Sequence, residues 1–316
     1  MVIDANYNIM ECKCPCCGCE KSIDKFKADN CRTDILNPSF YLRCADCRSL
    51  FIIPNNFPSL NHNNYDERYI KTYNKLIKKL KNKSYRLFAC WMYGLLSGFS
   101  HINLPRKSGF NKNVTLLDIG CGIGLQTKLL SRKGINIIGI DTSQQAIDFA
   151  NDISDGEKFI RADINSFQSA NNVDCIRLDN VIEHVDDITS FLEQMSRKLQ
   201  PGGEVIIFTP NANSASLKFL KGKSVSAWPE EHKIIFTKKG LENILNKFNL
   251  KIIRYKKNTP AWWLAYNCLS LLGIGSNISA NSFSLKILSL FFLPFTYVFN
   301  LLNLNEEVVI IAKKPY

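Results

Sequence analysis

The chain has 316 residues, 46% of them apolar and 22% charged, with 40 Lys+Arg against 28 Asp+Glu and a net charge of +12. Such a chain can bury a sizeable core, and its composition excludes wholesale disorder. The excess of base points to an anionic partner (nucleic acid, an acidic membrane surface or a phosphorylated substrate) without choosing among them.

The opening stretch, MVIDANYNIMECKC, has no apolar h-region, so a secretory signal is not expected. Eight of the twelve cysteines, Cys12, Cys14, Cys16, Cys17, Cys19, Cys31, Cys44 and Cys47, fall in the first 47 residues. The other four are Cys90, Cys121, Cys175 and Cys268. A disulfide scaffold is short and spreads its cysteines, whereas one loaded end on a long chain reads as a metal site fused to a larger domain. The pairs Cys14/Cys17 and Cys44/Cys47 are C-x-x-C knuckles separated by 26 residues and suit a tetrahedral zinc site. Cys12, Cys16, Cys19 and Cys31 stand as alternative ligands. Residues 1–54 are therefore read as a small zinc ribbon that needs its metal to fold. Four thiolates leave no open position, so that zinc is structural.

Residues 55–110 read as a helical linker or lid. Its basic run carries Lys71, Lys75, Lys78, Lys79, Lys81, Lys83 and Arg86 with no acid, and then turns apolar in LFACWMYGLLSGF. Such runs are ordinarily a solvated helix face, but a basic stretch beside an apolar one also suits an anionic membrane surface.

Residues 111–316 alternate short apolar runs with amphipathic stretches, the pattern of a parallel sheet with crossover helices. VTLLDIG, INIIGID, KFIRADI, VDCIRLDNV and GEVIIFTPN read as strands, with helices at LQTKLLSRKG, SQQAIDFAND and DDITSFLEQMSRKLQ, the last stopped by Pro201-Gly202-Gly203. A helix capped by Thr237 and the strands LKIIRYK and EEVVIIAKK follow.

Between those last two strands, residues 261–302 hold one charge, Lys286, together with Trp262, Trp263, Phe291, Phe292, Phe295 and Phe299. A bilayer span needs about 20 apolar residues. Pro294 and Asn300 interrupt the longer segment, and the flanking strands must pair in one sheet, so any crossing must be even in number. A helical pair lying in a membrane interface or a lid over the acceptor pocket is expected; a buried core extension is the plainer reading.

LDIGCGIG places Gly120, Gly122 and Gly124 where a strand turns into a helix, which lets backbone approach a ligand. The spacing differs from that of dinucleotide binders. Asp118 just before it would repel a pyrophosphate and welcome an amino group, which argues against NAD. Asp141 ends the second strand, placed for a ribose diol, and Asp163 follows the third, within reach of an adenine amino group.

LDIGCGIG, Asp141, RADI, DNVIEHV, LQPGGEVIIFTPN and EEHKIIFT, in that order, resemble a class I S-adenosylmethionine-dependent methyltransferase over roughly residues 112–258 and 305–316. They are similar in particular to the branch that includes the ubiquinone-biosynthesis O-methyltransferases. CPCCG…YLRCADCRSLFIIP…YDERY resembles the zinc ribbon that precedes many bacterial methyltransferases of surface-polysaccharide and natural-product pathways. The resemblance implies an α/β, Rossmann-like seven-stranded sheet whose last strand is antiparallel, with the four-cysteine ribbon in front and the apolar helical insertion before that strand. It implies S-adenosylmethionine as cofactor: Asp118, Gly120, Cys121, Gly122 and Gly124 hold the methionine part, Asp141 with Thr142 the ribose, and Asp163 with Ile164 the adenine. Asn180 lies beside the cofactor at the end of the fourth strand.

Glu183 and His184 follow that strand, and the resemblance brings His232 to the same side. His184 suits a general base for a hydroxyl acceptor. Alternatively Glu183, His184 and His232 share a divalent ion such as Mg2+, as in some small-RNA 2′-O-methyltransferases with an E-x-x-E-H motif, although Asn180 replaces the first acid here. A third role is to orient the site through hydrogen bonds.

The expectation is a methyltransferase, cytoplasmic or peripheral on the inner face of the membrane, acting by in-line displacement on a glycan, glycolipid or lipid-linked small molecule. Its rivals are an RNA methyltransferase gripping phosphates through the ribbon and basic surface, and a non-catalytic adaptor that binds membrane or protein. The sequence sets neither the acceptor nor the oligomeric state.

Overall fold

A computed structural model of the chain describes residues 13–28, 40–52, 78–97, 114–131, 135–168, 172–229, 231–273 and 283–316. Cys12, Cys31, Lys71, Lys75 and much of the expected 55–110 linker lie outside the described residues. Two sheets organise the rest.

The ribbon supplies β1 (Ser22–Lys27), β2 (Phe40–Cys44) and β3 (Leu50–Ile52), joined antiparallel. Helix α1 (Lys83–Leu96) starts at Asn82, whose side chain accepts from the Tyr85 amide, and buries Arg86, Cys90, Gly94 and Leu96 along one stripe. Then come β4 (Thr115–Ile119), α2 (Leu125–Ser131), β5 (Asn136–Asp141), α3 (Gln144–Asp152), β6 (Lys158–Arg161) and β7 (Val173–Asp179). After a 3-10 turn at Ile182–His184, α4 (Ile188–Lys198) is capped by Asp187, which accepts from the Thr189 and Ser190 amides.

β8 (Leu199–Pro210) begins earlier than the Gly203 start read from the sequence. Residues 200–203 bulge out of register against β7, where Val173 pairs with Leu199 and Cys175 with Glu204. Gly202, at φ 76°, holds that bulge, and its amide donates to the Lys314 carbonyl. The chain continues through α5 (Ala215–Phe219), β9 (Ile234–Ile235), α6 (Lys238–Asn246) and β10 (Lys251–Asn258). α7 (Ala261–Leu271), α8 (Phe283–Leu301) and β11 (Glu307–Lys313) complete it.

The large sheet has the order β10-β11-β8-β7-β4-β5-β6. β4 to β8 run parallel, and β11 slots antiparallel between β8 and β10. This is the expected Rossmann-like seven-stranded sheet with an antiparallel last strand. Its inner strands are apolar on both faces, as helices on both sides require. Leu116, Leu117, Ile176, Leu178, Val205 and Ile207 are each 2% exposed or less.

The small sheet was not anticipated in full. Its order is β1-β2-β3-β9, so two residues from the loop after β8 extend the ribbon. The apolar pair Ile234-Ile235 was the cue, too short to read as a strand alone. The insertion forms two helices packed on each other, α7 and α8. Helix α8 passes through Pro294 rather than stopping there, at the cost of one backbone hydrogen bond.

Candidate functional site

The turn after β4 lies at the carboxyl end of the sheet. The amides of Gly120 and Cys121 both donate to the Ile140 carbonyl, at 2.8 and 3.0 Å, tying the turn to β5. Gly120, Gly122 and Gly124 have φ of 69°, 54° and 70°, the left-handed region glycine tolerates. Space imposes a second demand. A Cβ on Gly120 would meet Val181 Cγ2 at 2.5 Å, and one on Gly124 would meet the Phe159 ring at 2.7 Å. The turn is therefore wedged between the end of β7 and the α3–β6 layer.

Asp141 fastens the turn from the neighbouring strand. Its Oδ2 accepts from the Gly122 amide and its Oδ1 from the Ser143 amide, both at 2.9 Å. Thr142 is exposed, and its carbonyl accepts from Arg161 Nε. After β6, Asp163 Oδ1 accepts from the Ser166 amide at 2.6 Å while its own amide donates to Ser166 Oγ, closing a tight turn over the buried Ile164. Cys121 is buried, and burial followed by the charges of Asp118 and Asp141 pushes its thiol up.

Asp118 is only 1% exposed and already partnered. Its Oδ1 accepts from Arg177 Nη1 at 2.8 Å and its Oδ2 from Thr127 Oγ1 at 2.5 Å. Arg177 also bonds Asp179 and Gln126. Burial works against the charge on Arg177, but Asp118 and Asp179 hold its guanidinium above the ordinary range. This buried carboxylate–guanidinium–carboxylate group escaped sequence reasoning; its cue was a lone cation in the apolar run VDCIRLD. Asn180, at φ 53°, follows it. Its Nδ2 donates to Asp179 Oδ1 at 2.9 Å, and its Oδ1 is buried with no partner among the described residues.

Glu183, His184 and His232 come together. One ligand atom from each lies within 4.8 Å of the others. Glu183 is fully buried; its Oε2 accepts from Thr209 Oγ1 at 3.0 Å and its Oε1 has no hydrogen-bond partner among the described residues. Burial raises its carboxyl to about 7. His184 Nδ1 lies 2.8 Å from the Glu231 carbonyl, and His232 Nδ1 lies 2.8 Å from the Ser226 carbonyl. A carbonyl only accepts, so both Nδ1 atoms carry the proton and both Nε2 atoms keep a lone pair in the neutral rings. The rings are 4.9 Å apart, and His184 Nε2 is 3.9 Å from Glu183 Oε1. Burial, then the neighbouring His184, pushes His232 down to about 3. Trp228 lies 6.4 Å from the His232 ring and 6.2 Å from Tyr266, which carries the aromatic chain onto α7.

The thiols of Cys14, Cys17, Cys44 and Cys47 also lie within 4.8 Å of one another, with Cys14–Cys47 and Cys17–Cys44 both 3.5 Å apart. Four Zn–S bonds of about 2.3 Å put tetrahedral sulfurs about 3.8 Å apart, so the set fits zinc. The ribbon reaches the histidine loop directly. Tyr41 Oη donates to the His232 carbonyl at 2.7 Å, the Ile52 amide to the Lys233 carbonyl, and the Lys233 amide to the Glu183 carbonyl. Thr237 Oγ1 donates to the Cys47 carbonyl. The sequence showed no sign of these clasps.

A family model described as a methyltransferase domain matches residues 62–255. The chain belongs to this methyltransferase family. Among curated relatives, the chain is 33% identical over 112 residues to the ubiquinone biosynthesis O-methyltransferase of Pelagibacter ubique (strain HTCC1062), covering 34% of this chain and 47% of that one. It is 32% identical over 120 residues to the protein of the same name from Bradyrhizobium diazoefficiens, covering 36% and 47%. The chain thus spans about half the length of the curated relatives it matches. Among solved structures, phosphoethanolamine N-methyltransferase 2 of Haemonchus contortus aligns at a TM-score of 0.50 and 18% identity over 75% of this chain and 59% of that one. That likeness shows the shared fold.

Proposed function

We propose that this methyltransferase moves a methyl group from S-adenosylmethionine to a hydroxyl of a glycan, glycolipid or other lipid-linked small molecule. The observation that carries the reading is the fixed tautomer of His184: Nδ1–H sits on the Glu231 carbonyl, so Nε2 carries the lone pair that can take a proton. S-adenosylmethionine, when bound, supplies a methyl on a sulfonium sulfur open to in-line displacement by oxygen. His184 Nε2 would take the hydroxyl proton as the methyl passes from sulfur to the acceptor oxygen, the S–C bond breaking as the O–C bond forms and S-adenosylhomocysteine leaving. Glu183, 3.9 Å away, stabilises the imidazolium that results.

The residues present fit that cofactor. The glycine turn exposes Gly120, Asn180 keeps a buried amide oxygen without a hydrogen-bond partner among the described residues, and Asp141 stands at the end of β5 beside the turn, held to it by the Gly122 amide. Asp118 holds the turn through Arg177 and Thr127, and we assign it a positioning role beneath the methionine part.

A second reading has an observation of its own. The orphaned Glu183 Oε1 and two imidazoles with free Nε2 atoms form a set that fits a divalent ion, and two nitrogens favour a transition metal over Mg2+. Such an ion would act as a Lewis acid toward the acceptor oxygen. We also propose Cys14, Cys17, Cys44 and Cys47 as a structural zinc site.

Calorimetric titration with S-adenosylmethionine and S-adenosylhomocysteine, with metal content read on the same sample, tests these assignments. Micromolar binding lost in Asp141→Ala is expected; a folded, zinc-loaded protein that binds neither compound would leave the adaptor. One zinc per chain limits metal to the ribbon, whereas a second metal lost in Glu183→Gln supports the divalent centre.

A further inference from the structure

Helix α8 leaves a long apolar stripe open. Ile287, Leu290, Phe291, Phe295, Val298 and Leu301 are each at least 41% exposed, and their spacing of three or four puts them on one face. The opposite side is occupied. Leu285 and Ser289 are buried, and Leu288 and Phe292 pack against the cluster of Trp263 and Tyr266 on α7. By length and hydropathy Ser284–Leu301 would suffice to cross a bilayer, with 11% of it buried. Both its ends, however, are fixed to the protein. Leu285 sits in the α7 cluster, and Asn300 Oδ1 accepts from Thr259 Oγ1 at 2.7 Å, just past β10. The helix therefore lies along the molecule rather than projecting from it.

Charge marks what the stripe meets. Neither α8 nor α1, which packs on it, contains an acid. Lys78, Lys79 and Lys83 are exposed. Lys286 on α8 is half-buried, and burial followed by the ammonium of Lys79 holds it below the ordinary lysine range. α1 adds its own exposed stripe of Leu87, Phe88 and Trp91. An apolar helix face bordered by lysines and free of acids matches the acyl boundary and headgroup layer of an anionic membrane.

We infer that α8 docks in the plane of an anionic lipid bilayer, with its open stripe in the acyl boundary and Lys78, Lys79, Lys83 and Lys286 at the headgroups. The packing of α7 on α8 carries that surface to the candidate site through Tyr266, Trp228 and His232. An acceptor anchored in lipid would then meet the histidines from the membrane side, a consequence that rests on the methyltransferase reading, whereas the docking itself does not.

Flotation of the full, zinc-loaded chain with vesicles tests this. Vesicles of phosphatidylcholine with about one-third phosphatidylglycerol are expected to carry the protein up at low salt, phosphatidylcholine alone to do so weakly, and high salt to release most of it. Phe291→Asp with Phe295→Asp should cut partitioning at least about tenfold while circular dichroism, zinc content and S-adenosylmethionine binding stay as in the wild type. No flotation with either vesicle overturns the docking, as does a stable dimer that the double variant converts to monomer, since a second copy then covers the stripe. Flotation without S-adenosylmethionine binding upholds the docking and sinks the enzymatic reading instead.

Discussion

Arg177 is the residue that ties β4 to β7 beneath the glycine turn. It is 2% exposed and stands between Asp118 and Asp179. Breaking a buried ion group by removing one partner costs about 3–5 kcal/mol, because the remaining charges lose their compensation. Arg177→Met should therefore unfold at much lower urea than the wild type, and Asp118→Asn in the same chain should recover part of the loss. An unchanged urea midpoint in Arg177→Met would show that the group contributes nothing net. The sequence displayed Asp118 plainly and even gave it a ligand role, yet it hid the partner. Asp118 and Arg177 are register neighbours on β4 and β7, 59 positions apart in the chain. Strand register decides which side chains touch, and register is a property of the assembled sheet. By contrast the glycine turn was legible, because G-x-G-x-G records a local backbone demand.

Among the elements, the ribbon and the histidine loop share β9. The pairing of β3 with β9, the bond from the Ile52 amide to the Lys233 carbonyl and the Tyr41 hydroxyl on the His232 carbonyl fix the loop that carries His232 and Glu231. A ribbon of three short strands has little core of its own, so the proposed zinc would supply much of its order. Cys44→Ser, or stripping zinc with a chelator, should loosen β1–β3 and with them β9. Hydrogen exchange measures this: amides of Ile235 and Thr237, which face β3 and Ser49, should lose protection, while those of β4, β7 and β8 keep theirs. Unchanged protection at β9 would mean that the loop holds its shape without the ribbon. The two cysteine knuckles could be read from spacing alone. Their attachment to the histidine loop could not, since two isoleucines make no periodic signal and the pairing spans most of the chain.

At the scale of the molecule, the apolar insertion is placed so that the sheet can close without it. Asn258 at the end of β10 and Glu307 at the start of β11 are register partners, and their side chains also bond. The two strands are thus a hairpin whose connection happens to contain α7 and α8. Antiparallel partners need only a short turn, so a variant lacking residues 261–302 should keep the seven-stranded sheet, its zinc and its affinity for S-adenosylmethionine within a few-fold, and lose vesicle flotation. The competing view is that α7 is core: Trp263, Ala265 and Tyr266 are buried with Val225 and Trp228. Excision would then strip the cover from Trp228, and the variant would be insoluble or melt well below the wild type. Thermal unfolding of the excised chain separates these views. A folded, cofactor-binding product makes the insertion an appended docking device; a product that does not fold makes it part of the core, leaving only the outer face of α8 for the membrane.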